Sequence, residues 1–122
     1  MRDHDRGSAS LTTVLLTPVA MMVALMAFQA ALWTHARTEA RAIARDAAVL
    51  VARADVPIDA AEESARTRLG AQESLTSSSI RVAPEGSLIV ATVDATAPGM
   101  FRFTERRIQV IEAVPVEGFR EP

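Results

Sequence analysis

Hydrophobic positions in this chain follow three different spacings, one after another. From Leu11 to Trp33 nearly every residue is apolar, broken only by Thr12, Thr13, Thr17 and Gln29. No charged residue occurs between Gly7 and Thr34. A helix over that stretch would be roughly 40 Å long at about 1.5 Å per residue, and a bilayer core needs about 20 apolar residues. The run therefore predicts a membrane-spanning helix, with room for tilt. From Thr34 to Ala54 the spacing becomes that of a one-sided helix. Ala36, Ala40, Ile43, Ala44, Ala47 and Leu50 recur every three or four residues, which predicts an apolar stripe. From Ile80 the apolar residues alternate, as in a strand, and stretches rich in strand formers follow.

The boundaries follow from local chemistry. Val56-Pro57 ends or turns the first helix, and Pro57 suits the first turn of a second one. That second helix is expected to reach Leu69, with Gly70 as its stop. Glu62 and Arg66 stand four apart within it, in the favourable order. Ala71 to Ser79 is polar and serine-rich and is expected to be a loop. Ile80 to Ala83 alternates, Pro84-Glu85-Gly86 is expected to turn, and Ser87 to Thr96 is rich in strand formers, so the three together predict a hairpin. Ala97-Pro98-Gly99 opens a longer loop holding Met100, Phe101 and Phe103. Arg106 to Val116 is expected to be a third strand with Ile108, Val110, Val114 and Val116 on one face; Glu112 interrupts that face, which calls for a bulge or an edge position. The expected fold class is α+β: a long N-terminal transmembrane helix extending into a small domain with a short helix and a three-stranded antiparallel sheet. No internal repeat is visible.

Composition narrows the function classes. The net charge is −2, which argues against nucleic-acid binding, where a basic patch is normal. Without cysteine there are no disulfides, thiol nucleophiles or cysteine metal sites. All 13 basic residues are arginine. The part beyond the apolar run has fewer than about 90 residues, and a chain of that size buries only roughly 60–65% of its surface on folding. The apolar run is longer than the core of a typical cleaved secretory signal, and Ala40-Arg41-Ala42 comes late for a cleavage site, which favours a retained anchor. Pro18 lies inside the run and predicts a kink. Ala20, Ala24, Ala27 and Ala31 share one face, a spacing that lets membrane helices approach closely, although alanine is common throughout this chain. Trp33 falls where aromatic rings favour the headgroup region.

Asp5-Arg6-Gly7-Ser8-Ala9-Ser10, followed by an apolar run with Pro18, resembles the start of the TadE-like pseudopilin family of bacterial tight-adherence pilus systems. Gln29-x-x-Leu32-Trp33-x-His35-Ala36-Arg37 is similar to its helix exit. Ala113-Val114-Pro115-Val116-Glu117-Gly118-Phe119-Arg120 is similar to its ending. The resemblance implies cleavage by a prepilin peptidase after Gly7, leaving Ser8 as the new N-terminus. It also implies a domain outside the cytoplasm and partnership with other pilin or pseudopilin subunits. On that basis residues 1–7 are a leader, 8–34 a transmembrane helix, 35–54 an extracytoplasmic extension, and 55–122 a small extracytoplasmic domain. Charge alone points the other way. Arg37, Arg41, Arg45 and Arg53 follow the run while Arg2, Arg6 and the terminal amine precede it, which mildly favours a cytoplasmic C-terminal side. One residue departs from the family pattern. Many pilins carry a glutamate five residues after the cleavage point, and here Thr12 stands there. Thr12 cannot supply a buried carboxylate, a group that is costly in lipid and usually functional. That suggests a minor, tip or initiating subunit, or a protein that stays in the membrane.

Enzyme chemistry is not expected. His4 lies in the leader region and His35 at the membrane boundary, too isolated for a zinc site. Glu62 and Glu63 are adjacent in a helix and point apart; Ser77-Ser78-Ser79 has no nearby base. No phosphate-binding loop or dinucleotide fingerprint is present, and no cofactor, metal or small-molecule substrate is expected. Arg37, Arg41 and Arg45 form a line that is either a headgroup contact or a solvated face. Phe101 and Phe103 either fold back on the core or form an exposed contact for a partner subunit. Two further readings stay open: an unprocessed signal-anchored protein whose outer domain binds an envelope partner, and a domain released by signal cleavage.

Overall fold

A computed structural model of the chain describes residues 3–117, with side chains from Gly7 to Glu117. The residues before Gly7 expected to form a leader, His4 among them, and the Phe119-Arg120 end of the C-terminal motif lie outside the residues whose side chains are described. The elements in order are α1 (Asp3–Ala54), α2 (Ile58–Ala71), β1 (Thr76–Glu85), β2 (Leu88–Ala97), a short 3-10 turn (Arg102–Thr104) and β3 (Arg106–Pro115). The fold is α+β, with one long apolar N-terminal helix, one short helix and a three-stranded antiparallel sheet in the order β1-β2-β3. The chain forms two compact units, Met1–Ala31 and Leu32–Pro122.

The first unit is helical from Asp3, and its large apolar side chains face outward while Gln29 is buried. Leu11, Val14, Leu15, Leu16, Met21, Met22, Val23, Met26 and Phe28 are all exposed. This is the one described helix long and apolar enough to cross a membrane. Helical structure continues through Pro18, whose missing N–H leaves one carbonyl of the preceding turn without its usual donor.

In the second unit the apolar stripe of α1 meets the inner face of the sheet. Ala36, Ala40, Ile43, Ala44 and Ala47 are buried, as their spacing predicts. Leu50 is not, and the stripe continues instead along the four-residue line through Ala48 and Ala52. β2 is the central strand and buries every second residue: Ile89, Ala91, Val93, Ala95 and Ala97. Ile80 and Val82 from β1, and Ile108, Val110 and Val114 from β3, complete one cluster with the α1 alanines and Leu69 of α2.

Several boundaries differ from the sequence expectation. α1 ends where Asp55 turns left-handed (φ 50°) and the Val56 N–H reaches back to the Leu50 carbonyl at 3.2 Å. Aspartate tolerates that conformation better than most side chains. Pro57 is the N-cap of α2, not its first residue, and its carbonyl accepts the Ala61 N–H. Gly70 does not stop α2. The helix runs on to Ala71 and ends where Gln72 becomes extended. Nor are residues 76–79 a loop. They are the start of β1, with a bulge between Thr76 and Ser79 where Ser77 takes φ 48°. The Thr76 hydroxyl donates to the Thr96 carbonyl at 3.1 Å and holds this irregular start to β2. The hairpin tip is Gly86-Ser87, not Pro84-Glu85-Gly86. Gly86 carries φ +61° at the first loop position, as a type II′ connection requires. Pro84 pairs with Ile89 on an edge strand, where a missing N–H is tolerated.

Glu112 sits in an edge strand, and the β2–β3 register runs through it without a bulge. It shares the face of Val110 and Val114 but is partly exposed, and its carboxylate reaches the Arg41 guanidinium at 3.2 Å.

Candidate functional site

The residues singled out from the sequence fall into two groups, which are described separately. The first lies on the N-terminal part of α1. Gly7, Ser8, Thr12, Pro18, Ala20, Ala24, Ala27 and Ala31 are all exposed. Nothing lies within 4 Å of where a Cβ on Gly7 would stand. The Thr12 hydroxyl donates to the Ser8 carbonyl at 2.8 Å. Thr13 and Thr17 repeat that pattern, bonding the Ala9 and Thr13 carbonyls at 2.9 and 2.7 Å. Each hydroxyl is thus satisfied by its own helix, which lowers the cost of a polar group facing lipid. Thr12 therefore offers no charge and has a local partner for its proton.

The second group is the connection between β2 and β3. Phe101 and Phe103 do not fold back on the core. Phe103 is 87% exposed and Phe101 51%. Their rings stack on each other, with centroids 5.6 Å apart and an interplanar angle of 7°. The loop is ordered by Thr104, whose hydroxyl lies 3.1 Å from the Phe101 N–H and 2.8 Å from the Phe101 carbonyl. Gly99 packs so close that a Cβ there would collide with the Thr104 Oγ1. The Trp33 indole N–H donates to the Thr104 carbonyl at 3.2 Å, and the Arg106 guanidinium lies 5.2 Å from the centre of the Trp33 ring. The loop is therefore tied to the Trp33 turn of α1.

The other sequence candidates are dispersed. His35 is exposed on α1 beside a shallow cleft of about 510 Å³, lined also by Leu32, Gln72, Glu73, Ser74 and Pro98. Ser77 to Ser79 belong to the bulged start of β1. In the arginine line, Arg41 pairs with Glu112, while Arg37 and Arg45 have no ion-pair partner among the described residues. Arg53 pairs with Glu117 at 3.4 Å, and Arg68 with Asp46 at 2.7 Å. Among the described residues no group of three His, Cys, Asp or Glu comes together as a metal ion would require.

Glu62 has a role that sequence reasoning missed. One carboxylate oxygen accepts the Val82 N–H at 2.8 Å, while the other faces Arg66 at 3.4 Å. β1 is an edge strand, so Val82 would otherwise present an unpaired donor there. The i,i+4 pair with Arg66 was visible in the sequence. The second contact spans 20 residues, and no local pattern encodes it.

No protein-family model, curated protein or solved structure matches the chain. The likeness to TadE-like pseudopilins thus rests on the residues that carry it.

Proposed function

We infer that this protein is a single-pass membrane subunit of a bacterial pilus-assembly system, a minor TadE-like pseudopilin processed after Gly7 by a prepilin peptidase. Its work on this reading is structural. The helix holds the subunit in the bilayer, the α+β domain lies outside the cytoplasm, and the partners are other pilin or pseudopilin subunits and the assembly proteins. The observation that carries the reading is the form of α1, where an apolar, charge-free stretch with its large side chains exposed leads within the same helix into the core of a small sheet domain. An anchor that doubles as the spine of its domain is what a pilin-like layout needs. The exposed alanines at 20, 24, 27 and 31 add a surface on which a second membrane helix can pack closely.

Thr12 supports a minor or initiating role over repeated stacking. Its hydroxyl is bonded within its own helix and brings no carboxylate to a neighbouring subunit's amine. The same observation favours a second reading, an unprocessed signal anchor whose outer domain holds an envelope partner. Intact mass spectrometry of the protein from its own host's membranes, with and without the prepilin peptidase, separates the two. Loss of residues 1–7 only in the presence of the peptidase is the expected result. A full-length chain in both strains would sink the pseudopilin reading and leave the static anchor.

A further inference from the structure

Trp33 is nearly the last residue of the charge-free run, followed only by Thr34 before His35 and Arg37 bring polarity back. Any bilayer that takes up the run has its headgroups near this turn. The β2–β3 connection is fastened here, through the Trp33 N–H to the Thr104 carbonyl and through Arg106 over the indole ring. Thr104 and the close-packed Gly99 brace the loop from inside. Braced in this way, the loop turns its largest side chains outward: Phe103, Phe101 and Met100 are all exposed. Between Met100 and Arg107 there are three arginines against one glutamate.

The geometry points to the Met100–Arg107 loop as a second membrane contact, with Phe101 and Phe103 entering the boundary between headgroups and acyl chains beside Trp33. An exposed aromatic pair elsewhere on the domain would call for a protein partner. The tie to Trp33 sets this one at the depth where aromatic rings are favoured. Arg102 lies between the two phenylalanines in sequence and Arg107 four residues beyond Phe103, and guanidinium groups pair well with lipid phosphates. Apolar burial and electrostatic attraction then act together, as they do in interfacial helices. The inference rests on the anchor in the function proposed above. It does not depend on processing, on a pilus, or on which side of the membrane the domain occupies.

The chain has no cysteine, so single cysteines can be placed at will. The test attaches nitroxide labels to the full chain at V19C, S87C or F103C, in vesicles of phosphatidylcholine and phosphatidylglycerol, and measures collision with oxygen and with a water-soluble nickel chelate. Ser87 is the opposite control, at the far end of β2, roughly 33 Å away at about 3.3 Å per strand residue. The expected result is an oxygen-to-nickel collision ratio several-fold higher at position 103 than at 87, unchanged as the protein is diluted with lipid. A lipid-exposed label at 19 with 103 as wet as 87 would overturn the loop inference and leave the anchor standing. A wet label at 19 would overturn both. Protection at 103 that disappears on dilution would also overturn it, in favour of contact with a second copy of the chain.

Discussion

Among the described residues of α1, Ile43 is the one large side chain buried completely, and every other fully buried position is alanine. Replacing it with alanine is the most direct test of the core. The side chain is 1% exposed, so three carbons leave a closed site. At about 0.8 kcal/mol per carbon the transfer loss is about 2.4 kcal/mol. The neighbours on α1 are alanines, which have no side-chain freedom with which to fill the gap, so a cavity term adds to this and the sum is about 3–4 kcal/mol. A unit of this size has roughly 5–10 kcal/mol of stability to lose. Hydrogen exchange of the full chain in lipid nanodiscs reads the effect. β2 is paired on both sides, so amides such as Val93 exchange mainly through global opening of the domain. In Ile43→Ala they are expected to exchange roughly 100- to 1,000-fold faster, since every 1.4 kcal/mol is a factor of ten. Amides of the apolar stretch, Met21 to Leu25 for example, should not change. An acceleration of the β2 amides below about tenfold would mean that the α1 face is not packed as described.

Two further substitutions probe features that lie outside the core. Glu62→Ala removes the acceptor of the Val82 N–H and should cost about 1–2 kcal/mol, while Glu62→Gln keeps an oxygen there and should cost less; equal losses in thermal unfolding would point to the exposed Arg66 pair instead. Gly99→Ala puts a methyl group into Thr104 and should release the loop, seen as a red shift and increased quenching of the emission of Trp33, the chain's single tryptophan; an unchanged spectrum would mean that the loop is not braced through Thr104.

How much of this could be read in advance differs by element, for physical reasons. The apolar run, the strand-forming stretch of β2 and the alternation of β3 are long, repetitive signals, and they came out as one long helix and two paired strands. Errors gathered where one residue type serves two purposes. Gly70 looked like a helix stop, but glycine near a helix end stops nothing unless the chain turns there, and the turn came at Gln72. Pro84 looked like a turn residue, yet on an edge strand its missing N–H leaves no gap in the ladder, and Gly86-Ser87 supplied the tip. Ser77 to Ser79 looked like loop because serine is a weak strand former; a bulge and the Thr76 bond to Thr96 carry them into β1. The candidate loop was legible as residues and not as geometry. Phe101 and Phe103 were visible as an apolar pair, but the direction they face is set by Thr104, Gly99 and Trp33, and the Trp33 contact lies 71 residues away along the chain.

The alanines make the same point within one helix. Ala36, Ala40, Ala44, Ala48 and Ala52 lie on a four-residue line, and all are buried under the sheet. Ala20, Ala24, Ala27 and Ala31 have nearly the same spacing, and all are exposed. Spacing therefore tells what a helix face can accept and not what lies on it. In the second unit the chain supplies the cover itself, and the division of bulk is one-sided: alanine on the helix lets the sheet lie close, while Ile80, Val82, Ile89, Val93, Ile108, Val110 and Val114 fill the space from the other side. Such a face is sensitive in opposite directions, since enlarging a helix alanine overpacks it and trimming a sheet valine empties it. The first unit has the small residues but no described element of its own to lay against them. Small residues at that spacing leave a face on which a second membrane helix can lie close, the contact that the proposed function assigns to it.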